Sequence, residues 1–359
     1  MSTELRPGFF HNDYFRLQVA TLIGCALAVL VIMLGAWTRL VDAGLGCPDW
    51  PGCYGFLSVP SGDEQIRIAQ QRFPDSPVDA SKGWPEMIHR YAAGLLGLWI
   101  FGIALRIWLS RGRALPVRLP AFTAGFVVLQ AAFGAWTVTL SLWPQVVAAH
   151  LLGGFTTLSL LFLLLLRLAR HYAPGYQLPP ENRARLMRLK PWLYVGLILV
   201  IMQIALGAWT AANYAAVACP DLPTCQGKWW PGMNLSEGFN VFQSVGPNYL
   251  GGQLGNEARV AIHYSHRIGA VMVMVVLGAL LLRALRWTHG YHLARAVWLG
   301  LAIMIVQIVL GLLNVLLHIP VAIAVAHNAF GALLLLSVIN LLFRVHQLKP
   351  VKQPAGVNS

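Results

Sequence analysis

Charged residues are scarce in this chain of 359 residues: they make up 11% of it, and 13 are aspartate or glutamate. A soluble domain usually carries about 25% charged residues, so this shortage excludes an ordinary soluble protein. It also argues against a transporter, because no carboxylate falls near the middle of a long apolar stretch. Nucleic acid is not an expected partner either, since the basic residues are spread along the chain rather than gathered on one face.

Apolar residues dominate instead, at 57% of the chain. An apolar run needs about 20 residues to cross a bilayer as a helix. Eight such runs are predicted, at roughly 17–41, 86–109, 119–140, 146–168, 190–212, 260–283, 293–316 and 320–344. No small-residue cleavage site follows the first run, so it is interpreted as a retained helix rather than a signal peptide. The sequence therefore predicts an all-α integral membrane protein with eight transmembrane helices.

The distribution of lysine and arginine predicts the orientation of these helices. If the N-terminus is cytoplasmic, 18 of the 26 lysines and arginines fall in inner segments, including Arg6 at the start and Lys349 and Lys352 at the end. The positive-inside rule then places both termini in the cytoplasm. The two long loops, at about 42–85 and 213–259, are expected on the outer side.

Two halves of the sequence repeat each other. Gly-Ala-Trp-Thr occurs at 35–38 and at 207–210, and each copy is followed by a motif with two cysteines, at 47–53 and at 219–225. We therefore expect two tandem four-helix bundles, at 17–170 and 190–344, joined by a cytoplasmic linker at 171–190. Because each half has an even number of helices, a pseudo-two-fold axis along the membrane normal is expected.

Four histidines mark the same duplication. His89 and His150 are 61 residues apart, and so are His266 and His327. All four are predicted near the outer ends of helices, and each is followed by glycine within about a turn, at Gly94, Gly153, Gly154, Gly269 and Gly331. Paired imidazoles on neighbouring helices favour axial ligation of haem iron, with the glycines giving clearance to a flat macrocycle. Zinc is disfavoured because a histidine pair leaves two of its four positions empty.

A purely structural role for these histidines stays open. A single membrane histidine is more often a hydrogen-bonded structural residue than a ligand, and the glycines alone fit close helix packing. His263 lies one turn before His266 and is an alternative ligand, although it does not preserve the 61-residue spacing.

Charged neighbours distinguish the two halves. Glu86 lies three residues before His89 and on the same helix face, whereas the matching residue in the second half is His263. A carboxylate beside a cofactor takes up protons or stabilises positive charge, which predicts chemistry in the N-terminal half. Arg90 and Arg267 each follow a histidine and are candidate partners of haem propionates, with interfacial snorkelling as the alternative.

The chain has five cysteines. Cys25 lies inside the first predicted helix and is expected to be an inert packing residue. An oxidising outer compartment predicts disulfides between Cys47 and Cys53 and between Cys219 and Cys225. Whether these pairs only close their loops or also exchange electrons is left open, and a tetrathiolate metal site is the other alternative.

Together these motifs resemble the haem A synthase family. The resemblance rests on Leu-Gly-Ala-Trp-Thr-Arg-Leu at 34–40, both cysteine motifs, Glu-Met-Ile-His-Arg at 86–90, His-Arg at 266–267, His150 and His327. It covers about 17–344, and the cysteine pairs match the bacterial branch with loop cysteines. It implies oxidation of a methyl group of haem O to the formyl group of haem A, which serves haem-copper terminal oxidases.

The same resemblance implies roles for individual residues. A resident haem b would be held by His266 and His327, and the substrate haem by His89 and His150. Glu86 falls where the family has an essential glutamate and is the first candidate catalytic residue. Cys47 and Cys53 fall where the family has its N-terminal loop pair and are the other candidates.

The resemblance also suggests partners and a location: the lipid bilayer of the bacterial inner membrane, haem O synthase and assembly factors of terminal oxidases. The electron acceptor, the source of the oxygen atom and association into a homo-oligomer are left open.

Two further functions are compatible with the sequence. A non-catalytic membrane protein that transfers electrons through two b-type haems would account for the four histidines, but not for a glutamate in one half alone. A membrane thiol oxidoreductase would account for the cysteines and leave the histidines without a role.

Overall fold

The computed structural model describes residues 7–110, 115–169 and 178–348, with side chains from residue 13 onward. These residues form ten helices, eight of which are long and apolar enough to cross a membrane. The predicted all-α membrane fold with eight spans is therefore confirmed. The helices are α1 Pro7–Leu40, α2 Asp63–Arg72, α3 Ala80–Leu109, α4 Arg118–Thr139, α5 Pro144–Ala169, α6 Pro180–Ala212, α7 Leu235–Gly238, α8 Asn256–Thr288, α9 His292–Leu316 and α10 Val321–His346.

Several helices begin earlier than the apolar runs indicate, because their first turns are polar. α3 begins at Ala80, where the carboxylate of Asp79 accepts a hydrogen bond from the Ser81 N–H and caps the helix. α6 begins at Pro180, so the second part of the predicted linker 171–190 is helical. Residues 171–177 of that linker lie outside the described residues, as do Arg6, Lys349, Lys352 and both termini.

The membrane helices pack as two closed groups of four. In the first, α1 contacts α3 and α5, and α4 contacts the same two helices. In the second, α6 contacts α8 and α10, and α9 contacts the same two. Across the groups, α1 packs on α10 and α5 packs on α6. These contacts are compatible with the expected two-fold relation of the halves, which stays a prediction together with the direction of its axis.

The loops that contain the cysteines lie at one end of the helices, here called the cysteine-loop side. Residues 239–250 of the second long loop, here called the strap, reach across to the short α4–α5 turn of the first half. Trp143 Nε1 donates to the Gln243 carbonyl at 3.0 Å, and Gln145 Nε2 donates to the Val241 carbonyl at 3.0 Å. The Tyr249 N–H donates to the Ser141 carbonyl at 3.0 Å. The strap therefore ties the two halves together on this side.

Candidate functional site: two histidine pairs

Each of the four histidines that the sequence predicts as haem ligands packs against a glycine of the preceding membrane helix. His89 lies against Gly35, and an added Cβ at that glycine would be 2.9 Å from the imidazole Cε1. The equivalent distances are 3.2 Å for Gly134 and His150, 3.1 Å for Gly207 and His266, and 3.1 Å for Gly311 and His327. The repeated glycines and the repeated histidines thus form the same type of contact at four positions.

The first histidine pair has a geometry that suits a metal between its rings. The ring centroids of His89 and His150 are 6.5 Å apart and the ring planes are perpendicular, at 89°. Two metal–imidazole bonds of about 2.0 Å each would place the centroids about 6.3 Å apart. In the second half, His266 and His327 make the equivalent contacts with Gly207 and Gly311. Among the described residues no group of three or more histidine, cysteine or acidic side chains could hold a metal.

Glutamine side chains support three of the four rings. Gln130 Nε2 lies 3.0 Å from His150 Nδ1 and donates to the His150 carbonyl at 2.6 Å. Gln203 Nε2 lies 3.0 Å from His266 Nδ1 and donates to the His266 carbonyl at 2.9 Å. Gln307 Nε2 lies 3.4 Å from Nε2 of His327. These amides act on the orientation of the rings, at Nδ1 for His150 and His266 and at Nε2 for His327.

The polar atoms around the rings are compatible with haem ligation. Nδ1 of His89 and Nδ1 of His327 are buried without a hydrogen-bond partner within the described part of the chain, and so are Oε1 of Gln203 and Oε1 of Gln307. An imidazole that carries its hydrogen on Nδ1 leaves Nε2 free as a ligand, as haem iron requires.

The glycines that follow three of the histidines pack against glutamine side chains, and the predicted clearance for a macrocycle stays a prediction. A Cβ on Gly153 or Gly269 would collide with the side chain of Gln130 or Gln203, and a Cβ on Gly331 would lie 3.4 Å from Gln307. These glycines therefore make room for the glutamines. Gly94 has no atom within 4 Å of an added Cβ, and it makes no such contact.

Glu86 and His263 occupy equivalent places beneath the two cysteine loops. Glu86 is the one buried carboxylate among the described side chains; its Oε2 accepts from the Cys47 N–H at 2.9 Å, and Oε1 forms an ion pair with Arg90. His263 Nδ1 accepts from the Cys219 N–H at 3.3 Å. Nε2 of His263 lies 3.4 Å from Nε of Arg267. Both ring nitrogens of His263, the alternative ligand, are therefore occupied by contacts with the loop and with Arg267.

Arg90 and Arg267 hold the cysteine loops onto the helices. Arg90 donates to the Asp49 carbonyl at 2.9 Å and to the Gly52 carbonyl. Arg267 donates to the Asp221 and Thr224 carbonyls, each at 2.9 Å, and to the Cys219 carbonyl at 2.5 Å. Their contact with haem propionates stays a prediction, and loop anchoring is the role that the described contacts define.

Both predicted disulfides are present, Cys47–Cys53 and Cys219–Cys225. Cys25 is free and buried in the helical core, as expected for a packing residue. Each cysteine loop is folded around an aspartate: Asp49 accepts from the backbone of Tyr54 and Gly55. Asp221 accepts from the Thr224 hydroxyl and from the N–H groups of Gln226 and Gly227, and these bonds lower its pKa below the ordinary 3.8.

Eight apolar helices with two histidine pairs between them define a multi-pass membrane protein with two paired-imidazole sites. The chain belongs to the COX15-CtaA family of cytochrome oxidase assembly proteins, whose family model matches residues 18–339.

Three curated relatives carry the name "Heme A synthase". The protein of Shewanella oneidensis is 43% identical over 321 residues, which cover 89% of this chain and 93% of the relative. The protein of Allorhizobium ampelinum is 30% identical and covers 88% and 86% of the two chains. The protein of Caulobacter vibrioides is 28% identical and covers 91% and 95%.

Proposed function

We propose that this chain is a haem A synthase, an oxidoreductase that converts a methyl group of haem O into the formyl group of haem A. Family membership and the name of the relatives support this proposal. The observation that carries it in the structure is the combination of two histidine pairs with one buried carboxylate, Glu86, beside the first pair. A duplicated scaffold with one acidic half suits one substrate haem and one resident haem.

In this proposal His89 and His150 bind the substrate haem, and His266 and His327 bind a resident haem b. The domain at 17–170 is then the substrate half, and 190–344 is the haem b half. The second half has the neutral His263 where the first has Glu86. A haem held by His266 and His327 would supply a redox centre for the electrons that leave the substrate.

The reaction has a defined balance: converting a methyl group to a formyl group, with the oxygen counted as water, releases four protons and four electrons. Bound haem supplies the redox-active iron. Glu86 is placed to receive protons, since it lies on the same helix face as His89. Arg90 stabilises the carboxylate form of Glu86, and the Cys47 N–H orients it. Cys47 and Cys53 would hold the loop above the site and act as auxiliary electron acceptors.

We also propose that the chain lies in the bacterial inner membrane with both termini in the cytoplasm and the cysteine-loop side facing outward. The bias of lysine and arginine supports this orientation. So do the two disulfides, which form in an oxidising compartment. Haem O synthase and terminal oxidase assembly factors are the corresponding partners, as supplier of the substrate and recipients of the product.

The test is expression together with a haem O synthase in cells that lack haem A, followed by haem extraction and chromatography. We expect haem A to accumulate and protohaem to co-purify. His266→Ala should lose the protohaem, and His89→Ala should abolish haem A. Protohaem without any haem A would instead identify a di-haem electron-transfer protein, and absence of bound haem would favour the thiol oxidoreductase.

A further inference from the structure

The tip of each cysteine loop rests on a tyrosine of a membrane helix. The Tyr91 hydroxyl on α3 donates to the Leu57 carbonyl at 2.6 Å, and the Tyr264 hydroxyl on α8 donates to the Trp229 carbonyl at 2.5 Å. Leu57 and Trp229 each lie four residues after the second cysteine of their loop, so they are equivalent in the repeat. The tyrosines are not equivalent, because one follows its histidine by two residues and the other precedes its histidine by two. The contact between tip and helix is therefore kept although a different helix position supplies it.

Both tyrosines stand at the head of an exposed apolar stripe on their helix. Residues at intervals of three, four or seven share one face of a helix, and an exposed apolar face on a membrane-spanning helix is the face that lipid chains contact. On α8 the exposed residues on the face of Tyr264 are Ile268, Val271, Val275 and Leu282. On α3 those on the face of Tyr91 are Leu95, Leu98, Leu105 and Leu109. Each loop tip is thus held over a lipid-facing surface of the bundle.

The length of α8 places Tyr264 at the border of the hydrocarbon core. Arg283 is exposed near the other end of the same helix, where a charged side chain marks the opposite border. It follows Tyr264 by 19 residues, which at about 1.5 Å of rise per residue is a separation of about 28 Å. The hydrocarbon core of a bilayer is about 30 Å thick. Tyr264, and the loop tip that it holds, therefore lie where the acyl chains meet the headgroups.

The side chains at the second tip have the chemistry of this border. Trp229 and Trp230 are 70% and 75% exposed, and the Trp230 ring meets the Tyr264 ring edge-on, with centroids 5.9 Å apart. Lys228, directly before them, is exposed as well. Tryptophan and tyrosine are enriched at membrane–water interfaces, because one end of each ring system is apolar and the other is polar. In the first loop the equivalent of Trp229 is Leu57, which is 87% exposed.

We propose that the tips of both cysteine loops lie in the headgroup region of the lipid leaflet on the cysteine-loop side, and that Trp229 and Trp230 anchor the second loop there. Lys228 is placed to meet the lipid phosphates. Arg267 holds the same loop from the protein side through three of its carbonyls, so the loop is fixed between the helix and the membrane. This inference does not rest on the proposed function, because no haem enters it.

Quenching of tryptophan fluorescence by brominated lipids tests the contact with the bilayer. The full-length protein has 13 tryptophans, so the signal of the anchor is the difference between the unmodified protein and Trp229→Phe with Trp230→Phe, both in nanodiscs. We expect this difference signal to be quenched by phosphatidylcholine that is brominated near the headgroup end of its acyl chains, and to resist iodide added to the water. Comparison with unbrominated nanodiscs removes the quenching that arises inside the protein. Phenylalanine keeps the apolar bulk at both positions, so the variant should fold.

Two tryptophans of α6 serve as matched controls. The signal lost in Trp192→Phe, at an exposed position of a membrane helix, should be quenched by the brominated lipid, and the signal lost in Trp209→Phe, at a buried position, should respond weakly to both quenchers. In the first loop, Leu57→Trp should add a signal that the brominated lipid quenches. A difference signal for Trp229 and Trp230 that iodide quenches and brominated lipid leaves unchanged would overturn the proposal, because the tip would then face water. The same result for Leu57→Trp would overturn it for the first loop.

Discussion

The carboxylate of Glu86 accepts a hydrogen bond from the backbone N–H of Cys47 at 2.9 Å, so the acidic group beside His89 also holds the first disulfide loop. In the second half, His263 accepts the corresponding bond from Cys219 at 3.3 Å. The duplication thus keeps the contact to the loop and changes the chemical group that makes it. This separates a structural role, shared by both residues, from a chemical role that depends on the negative charge of Glu86.

Glu86→His tests this separation, because it gives the first half the group that the second half already uses. We expect the variant to fold and to bind haem, but to form haem A about 10²–10⁴-fold more slowly, the usual contribution of a general acid–base group. Haem chromatography after co-expression with haem O synthase measures the rate. His263→Glu is the matched control for a changed loop contact, and it should leave haem A formation intact. If Glu86→His formed haem A at the wild-type rate, the reaction would not need the carboxylate of Glu86.

Glu86→Ala should in addition destabilise the protein. It leaves the Cys47 N–H without its acceptor and Arg90 without its buried ion-pair partner. Breaking a buried ion pair on one side costs about 3–5 kcal/mol, and Glu86→Gln shares this cost. Leaving the Cys47 N–H without an acceptor costs about 1–3 kcal/mol more, the worth of one buried donor, in Glu86→Ala alone. Thermal unfolding in detergent should therefore show a lower midpoint than for Glu86→Gln, which retains an oxygen to accept from Cys47. Equal midpoints for the two variants would contradict the loop-holding role.

Alanine at a ring-facing glycine should displace the histidine. In Gly35→Ala the new Cβ would lie 2.9 Å from Cε1 of His89, and in Gly311→Ala it would lie 3.1 Å from Cε1 of His327. We expect Gly311→Ala to lose protohaem by about 10-fold or more, as other disturbances of a ligand's support do. Gly94→Ala is the control, since its Cβ meets no atom within 4 Å. If Gly311→Ala kept the protohaem content of the unmodified protein, the His327 ring would not ligate iron from this position.

Removing either disulfide should cost similar stability but unequal activity. Each pair closes a loop across six positions, for which loop-closure entropy gives about 2 kcal/mol. Cys47→Ser with Cys53→Ser should also slow haem A formation, because the backbone of Cys47 orients Glu86. Cys219→Ser with Cys225→Ser lacks that connection and serves as the comparison. If the two variants formed haem A at equal rates, the first disulfide loop would have no part in the reaction.

The second cysteine loop should loosen in acid. Hydrogen bonds from the Thr224 hydroxyl and from the backbone of Gly227 and Gln226 hold the pKa of Asp221 below its ordinary 3.8. Since the folded pKa is lowered, this stabilisation is complete above pH 3.8 and is lost as the pH falls through the lower folded value. The protection of the Gln226 and Gly227 amides against hydrogen exchange, relative to an unstructured chain at the same pH, should therefore fall in that range. In Asp221→Asn the exchange should show no such acid dependence, and an unchanged dependence would assign it to another group.

The sequence predicts the parts of this fold that depend on local pattern. Eight apolar runs give eight helices, and the spacing of cysteines in each loop gives two disulfides. The matching positions of Glu86 and His263 follow from the repeat alone. Their common contact to the loop does not, because it depends on how the loop folds back over the helix.

Contacts between helices are the part that the sequence does not reveal. Gln130, Gln203 and the repeated glycines are visible as a pattern, but pairing them with particular histidines requires the relative rotation and depth of two helices. The same holds for Arg90, whose guanidinium is directed by the loop carbonyls above it rather than by its neighbours along the chain. The polar first turns of α3 and α6 were missed for a simpler reason: hydropathy marks where a helix is apolar, not where it begins.

The strap has a consequence for how this duplicated protein can be recombined. The Gln243 and Val241 carbonyls accept bonds from Trp143 and Gln145 of the other half. A chimera that joins the first half of one homologue to the second half of another must therefore carry a matching pair of strap and turn. Although the halves descend from one pattern, they are no longer modular units.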